Sequence, residues 1–124
     1  MVTPEFHFDF VSPNAYFAHK VLPEYEARTG ATFRYVPVSI IGQFKLTNNV
    51  PTPVALKGIK NKGEYIQLDM ARFVARHGLT DYRMNPHFPF NSLQAMLGAV
   101  AADHLGCCRE YRSEEHTSEL QSPD

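Results

Sequence analysis

No apolar run in this chain approaches the ~18–20 residues that a membrane-spanning helix needs. The opening residues, Met1 to Glu5, lack a basic segment followed by an apolar one, so no secretory leader is expected and the cytoplasm is the expected location. Cysteine is scarce. Cys107 and Cys108 are adjacent, which makes them neither a C-x-x-C redox pair nor a disulfide framework, and they read as core or helix-end residues. Net charge is also small, −1 with histidine neutral, so nothing electrostatic argues for nucleic acid or a membrane surface as partner. There is no glycine-rich phosphate loop. His7, His19, His77, His87 and His104 show no close ligand spacing, and no metal site is expected. What is present is ordinary globular composition: 124 residues, 44% hydrophobic and 20% charged, enough for one small domain with one core.

Glu5 to Val11 alternates, with Phe6, Phe8 and Phe10 on one face and His7, Asp9 and Val11 on the other, which predicts a strand. Ser12-Pro13 follows at once. Serine is a favoured helix N-cap and proline a favoured first helical residue. Phe17, Val21 and Tyr25, with Ala18 and Leu22 beside them, mark one helical face, Pro23 should kink or break that helix, and Gly30 is placed as its C-terminal cap. Ala31 to Pro37 is the next strand, with Phe33 and Tyr35 on one face. Strand, helix and strand in so short a span form a βαβ unit with parallel strands.

Ser39 to Lys62 reads as irregular, punctuated by Asn48-Asn49, Pro51, Pro53 and Gly58. A helix is predicted from about Gly63 to His77, with Ile66, Met70, Phe73 and Val74 as its apolar stripe, Asp69, Arg72 and Arg76 as a solvated charged edge, and Gly78 as its stop. Asn91, with Gln94 three residues on, resembles a capping box. It opens a third helix with Leu93, Met96, Leu97, Val100 and His104 on its stripe, ending at Gly106.

Ser12-Pro13-Asn14-Ala15-Tyr16 is the segment richest in chemistry. A helix N-terminus carries unpaired N–H groups and partial positive charge, so an anion such as a thiolate is stabilised there, and a serine hydroxyl can donate to it. Locally, the same pattern is first of all an ordinary N-cap serine with proline behind it. Asp9 is placed to orient a polar group near Ser12, but no Ser-His-Asp triad can be assembled. His19 reads as a helix-surface residue and His104 as a packed one. The stretch from Gly58 to Gly63, with Lys60 and Lys62, reads as a basic surface loop.

The last twelve residues differ in kind. Ser113 to Asp124 holds four acids and no Lys or Arg, and the 112 residues before it carry about +3. The run Arg112 to Ser122 is similar to the translation of a common sequencing-library adapter, against the plainer reading of an acidic solvated tail. The expectation is that 112–124 is non-native, that His116 has no chemical meaning, and that native sequence ends near Tyr111.

Phe8-Asp9-Phe10-Val11-Ser12-Pro13-Asn14-Ala15-Tyr16 resembles the start of the 2-hydroxychromene-2-carboxylate isomerase family, the DsbA-like, kappa-class glutathione transferase branch of the thioredoxin fold. Asn49 followed by Pro51 is similar to that family's Asn-x-Pro-Pro element, although Thr52 replaces the second proline and the loop to Lys62 is longer. Lys62 to Met70 resembles its Lys-Gly-x-Tyr-x-x-x-Asp-Leu helix entry, and Phe88 to Met96 its Phe-Pro-x-Asn-(Ser/Thr)-Leu-x-Ala segment. The motifs fall in order over residues 5 to about 102.

The resemblance implies an α/β thioredoxin-like fold. Residues 1–38 would form its β-α-β start, 39–111 part of an inserted helical domain, and the C-terminal half would be missing. It also implies that Ser12 is the catalytic residue, contacting the thiol of reduced glutathione where redox relatives carry their first active cysteine. Asn49 and Lys62 match positions that contact glutathione or substrate carboxylates. The implied reaction is cis–trans isomerisation of an aromatic keto acid by reversible thiolate addition. The other use such a chain could have is as a glutathione transferase or a non-catalytic binding domain. Thiol–disulfide exchange is disfavoured because Ser12 and Ala15 stand where both thiols would be needed. Dimerisation, common in the branch, would belong to the longer protein. The chain alone, with an open sheet edge and uncovered apolar faces, is expected to be unstable or to aggregate, and to have no isomerase activity.

Overall fold

The computed structural model describes residues 2–121, with side chains described through Glu114. The elements are β1 (Glu5–Phe8), α1 (Pro13–Thr29), β2 (Arg34–Pro37), α2 (Ile40–Leu46), α3 (Thr52–Ala55), α4 (Lys62–His77), α5 (Leu93–His104) and α6 (Cys108–Gln121). They group into two compact units, one formed by residues 1–39 with 82–124, the other by 40–81. Residues 82–111, assigned from sequence to the insertion, therefore pack with the β-α-β start. The physical reason is α5, whose Met96 and Ala99 join the core that Phe8 and Phe10 begin.

In the first unit β1 and β2 pair in parallel, in the register Glu5↔Arg34 to Phe8↔Pro37. The strands are shorter than the alternation predicts. The ladder's last bond runs from the Val38 N–H to the Phe8 carbonyl at 3.0 Å. The Phe10 N–H turns instead to Met96 Sδ, and the chain turns at once, with the Ser12 N–H donating to the Asp9 carbonyl at 3.0 Å. Arg34 reaches across to Glu5 at 3.1 Å. The core gathers Phe8, Phe10, Leu22, Tyr35, Met96 and Ala99, with Phe6, Phe33 and Tyr111 packed against it. Full burial of a phenylalanine contributes about 1.5–3 kcal/mol, so Phe8 and Phe10, both essentially inaccessible, anchor this unit.

Ser12 and Gly30 cap α1 as the sequence suggests; Gly30 takes the left-handed conformation, φ 74°, and its N–H reaches the Glu26 carbonyl at 2.8 Å. Pro23 lies inside α1 without ending it, although it has no N–H to offer the carbonyl four residues back. The buried face of α1 is Tyr16, Phe17 and Leu22, while Tyr25 is exposed. Tyr82 packs on it, its ring 4.8 Å from Phe17 and 5.5 Å from Tyr16.

α5 is rotated relative to the predicted stripe. It buries Met96, Ala99 and Ala102 and leaves Leu93, Leu97 and Val100 exposed; His104 is exposed rather than packed. Gly98 explains the choice of face. A Cβ there would run into the Tyr111 ring and hydroxyl, so the small residues of α5 admit Tyr111, whose hydroxyl donates to the Ala95 carbonyl at 2.9 Å. Residues 112–121, the part of the adapter-like run within the described residues, continue α6, and Ser122 lies outside them, as does the side chain of His116.

In the second unit, α2 and α3 occupy a stretch expected to be irregular. Ile40 and Phe44 at i, i+4 give α2 a half-buried face, and Pro53 in the first turn of α3 starts a helix instead of breaking one. Both are short, which is why no period stands out. α4 is as predicted: Ile66, Met70, Phe73 and Val74 are half-buried, Asp69, Arg72 and Arg76 are exposed, and Gly78, φ 64°, ends it with the Leu79 N–H on the Val74 carbonyl at 3.0 Å. Among the described residues no helix is long and apolar enough to cross a membrane.

Candidate functional site around Ser12

Ser12 follows a buried strand end and precedes α1, so its position is fixed from both sides. Its backbone is extended, φ −88° and ψ 115°, and its Oγ accepts from the Ala15 N–H at 3.2 Å. That bond uses one lone pair and leaves the hydroxyl proton available to donate. Pro13 has no N–H, so the helix offers its positive end through Asn14 and Ala15, with no acidic residue in the first turn. An anion beside the Ser12 hydroxyl therefore meets a hydrogen-bond donor and a favourable dipole, with no carboxylate from α1 opposing it.

Beneath Ser12 lies Asp9, 2% exposed. Its Oδ1 accepts from the Val11 N–H at 3.0 Å and from the Ser92 hydroxyl at 2.6 Å. Ser92 is the N-cap residue of α5, yet its side chain makes no capping bond; Asn91 Oδ1 instead takes the Leu93 N–H at 3.0 Å. The predicted capping box is thus replaced by an Asn91 bond and a long-range Ser92–Asp9 bond. The Phe10 N–H donates to Met96 Sδ at 3.4 Å, a second tie from α5 to this loop.

The other two candidates belong to the second unit. Asn49 is exposed, and its Oδ1 accepts from the Val50 N–H at 2.9 Å. Lys62 is exposed at the start of α4 with its Nζ 5.6 Å from the Tyr65 ring centre. Ser12 stands in the first unit. Sequence reading missed Ser92 and Met96, which lie more than 80 residues from their partners with no local signal.

His19 is also a correction. It is half-buried, and its Nδ1 lies 2.9 Å from the Tyr35 hydroxyl. Burial, then the positive charges of Arg112 and Lys20, push its pKa down to about 4. Arg112 Cζ sits 3.4 Å from the Tyr35 ring centre, and burial raises the Tyr35 pKa. Cys107 is exposed and Cys108 buried, its thiol pKa raised by that burial.

A parallel β-α-β unit with Ser12 at the head of its helix is a thioredoxin-like arrangement. The sequence matches the family model for the DsbA-like thioredoxin domain over residues 4–119, and the chain belongs to that family. The structure is similar to that of selenomethionine 2-hydroxychromene-2-carboxylate isomerase, with a TM-score of 0.70 and 22% identity, covering 94% of this chain and 55% of the other. This chain thus spans little more than half the length of that isomerase. No curated protein sequence matches it.

Proposed function

We propose that the chain is the amino-terminal part of a glutathione-dependent cis–trans isomerase acting on aromatic keto acids of the 2-hydroxychromene-2-carboxylate type. The observation that carries this reading is Ser12, a hydroxyl at the mouth of α1 in a DsbA-like chain that has no thiol at Ser12 or Ala15. The likeness to the isomerase structure supports it.

The residues around Ser12 fit a bound thiolate. The Ser12 hydroxyl would donate to the sulfur and the α1 N-terminus would stabilise its charge, and both would favour the ionised form near neutral pH. Bound glutathione would supply reversible conjugate addition, which makes a double bond rotatable until elimination restores it. Lys62 would hold a carboxylate as a point charge, and Asn49 would hydrogen-bond to glutathione or substrate. The acidic run near the C-terminus and the Arg112–Ser122 likeness to adapter sequence support a native frame that continues elsewhere after Tyr111.

The test is to sequence the locus beyond the Tyr111 codon with a different adapter. The protein of the continuous frame is then assayed for isomerisation with and without glutathione. Turnover that requires glutathione and falls in Ser12→Ala is the expected result. Turnover indifferent to glutathione would sink the reading, and conjugation without isomerisation would move it to a transferase.

A further inference from the structure

The turn that presents Ser12 is short, and its shape depends on one buried side chain. Asp9 lies three residues before Ser12, and Oδ1 of its carboxylate takes a backbone N–H from inside the turn and a hydroxyl from another element. The Asp9 carbonyl receives the Ser12 N–H. Both ends of Asp9 therefore bear on the turn: the main chain closes it and the side chain braces it. Ser92, 4% exposed, forgoes the usual bond of an N-cap residue to its own helix and donates to Asp9 instead. A buried carboxyl group bonded to two donors is costly to disturb, because removing it leaves both donors without an acceptor in a dry site.

We propose that Asp9 is the positioning residue of the Ser12 site, and that Ser92 locks it by tying the turn to α5. Asp9 does not touch the bound thiol in this scheme. It fixes where Ser12 Oγ stands relative to the α1 N-terminus. The role rests on the proposed thiol-binding function of Ser12, but the brace itself can be tested without any ligand.

The effect of a brace differs in sign from that of a nearby negative charge. If Asp9 acted only through its charge, both Asp9→Ala and Asp9→Asn would favour a thiolate at Ser12. If it acts as a brace, Asp9→Ala disfavours the thiolate, whereas Asp9→Asn, which keeps an oxygen to accept from Val11 and Ser92, restores it.

The experiment uses residue-resolved hydrogen exchange on the full chain carrying Asp9→Ala, Asp9→Asn or Ser92→Ala. The Val11 and Ser12 amides should exchange at least tenfold faster in Asp9→Ala, with the Leu22 amide in mid-α1 unchanged. Asp9→Asn should stay within about threefold of the parent, and Ser92→Ala should fall between. In the longer protein, the absorbance of bound glutathione thiolate against pH should move upward in Asp9→Ala and return in Asp9→Asn. Unchanged exchange at Val11 and Ser12, or an equal thiolate shift in both Asp9 variants, would overturn the proposal. Should Asp9→Ala not fold, Ser92→Ala decides, since it leaves Asp9 in place and removes one bond. Absence of any thiolate signal in the parent protein would remove the function assigned to Ser12, while the exchange rates would still judge the brace.

Discussion

Acid should weaken the first unit through His19. His19 Nδ1 lies 2.9 Å from the Tyr35 hydroxyl, which keeps its proton because burial raises its pKa and so can donate to a neutral imidazole that carries its own proton on Nε2. The folded pKa is pushed from 6.5 to about 4, first by burial, then by the charges of Arg112 and Lys20. As pH falls, the unfolded chain therefore takes up this proton first. The stability that neutral His19 contributes is fully present above pH 6.5, declines as pH falls, and is lost below about pH 4. At 1.36 kcal/mol per pH unit the ceiling is about 3 kcal/mol, and partial exposure screens it to about 1–2 kcal/mol. The assay is urea denaturation of the parent and His19→Gln at pH 7.5, 5.5 and 4, at low protein concentration. Glutamine keeps an oxygen for the Tyr35 hydroxyl and cannot titrate, and carboxylates common to both chains cancel in the difference. His19→Gln should gain about 1–2 kcal/mol on the parent between pH 7.5 and 4. A difference that stays flat across that range, or moves the other way, refutes the reasoning.

Ser12→Ala removes the oxygen that accepts the Ala15 N–H and should cost about 1 kcal/mol in urea denaturation, whatever it does to glutathione. Gly98→Ala should cost about 1–3 kcal/mol, because its Cβ meets Tyr111. In a Tyr111→Ala background most of that cost should vanish, and a cost that simply adds would show that the contact is not the cause. Met96→Ala should cost about 2–4 kcal/mol, whereas Leu97→Gln, on a residue 61% exposed, should stay within about 0.5 kcal/mol. The reverse order in thermal melts would mean that α5 buries its other face.

The β-α-β start was legible because its signals are local: alternating phenylalanines, Ser-Pro at a helix entry, and glycine at its end. α4 was legible for the same reason. The buried face of α5 was not. Leu93, Met96, Leu97, Ala99, Val100 and Ala102 leave almost no polar side to orient the helix, and only the space that Tyr111 needs beside Gly98 selects a face. His19 was misplaced because a histidine on a helix carries no sign of the tyrosine it will meet 16 residues later. The Ser12 candidate followed from an N-cap pattern and a resemblance. Its support from Asp9 and Ser92 spans 83 residues, a separation at which periodicity and capping rules say nothing.

That separation has a consequence for how the chain tolerates change. Residues 40–81 interrupt the first unit between β2 and the segment that delivers Ser92 and Met96. Closing a flexible loop costs free energy only logarithmically in its length, about 0.6 kcal/mol for each doubling. The interrupting segment can therefore grow, shrink or be exchanged for another with little thermodynamic effect on the brace beneath Ser12. Within such a frame, the segment between β2 and α5 can vary in length and sequence while the turn at the head of α1 is inherited unaltered.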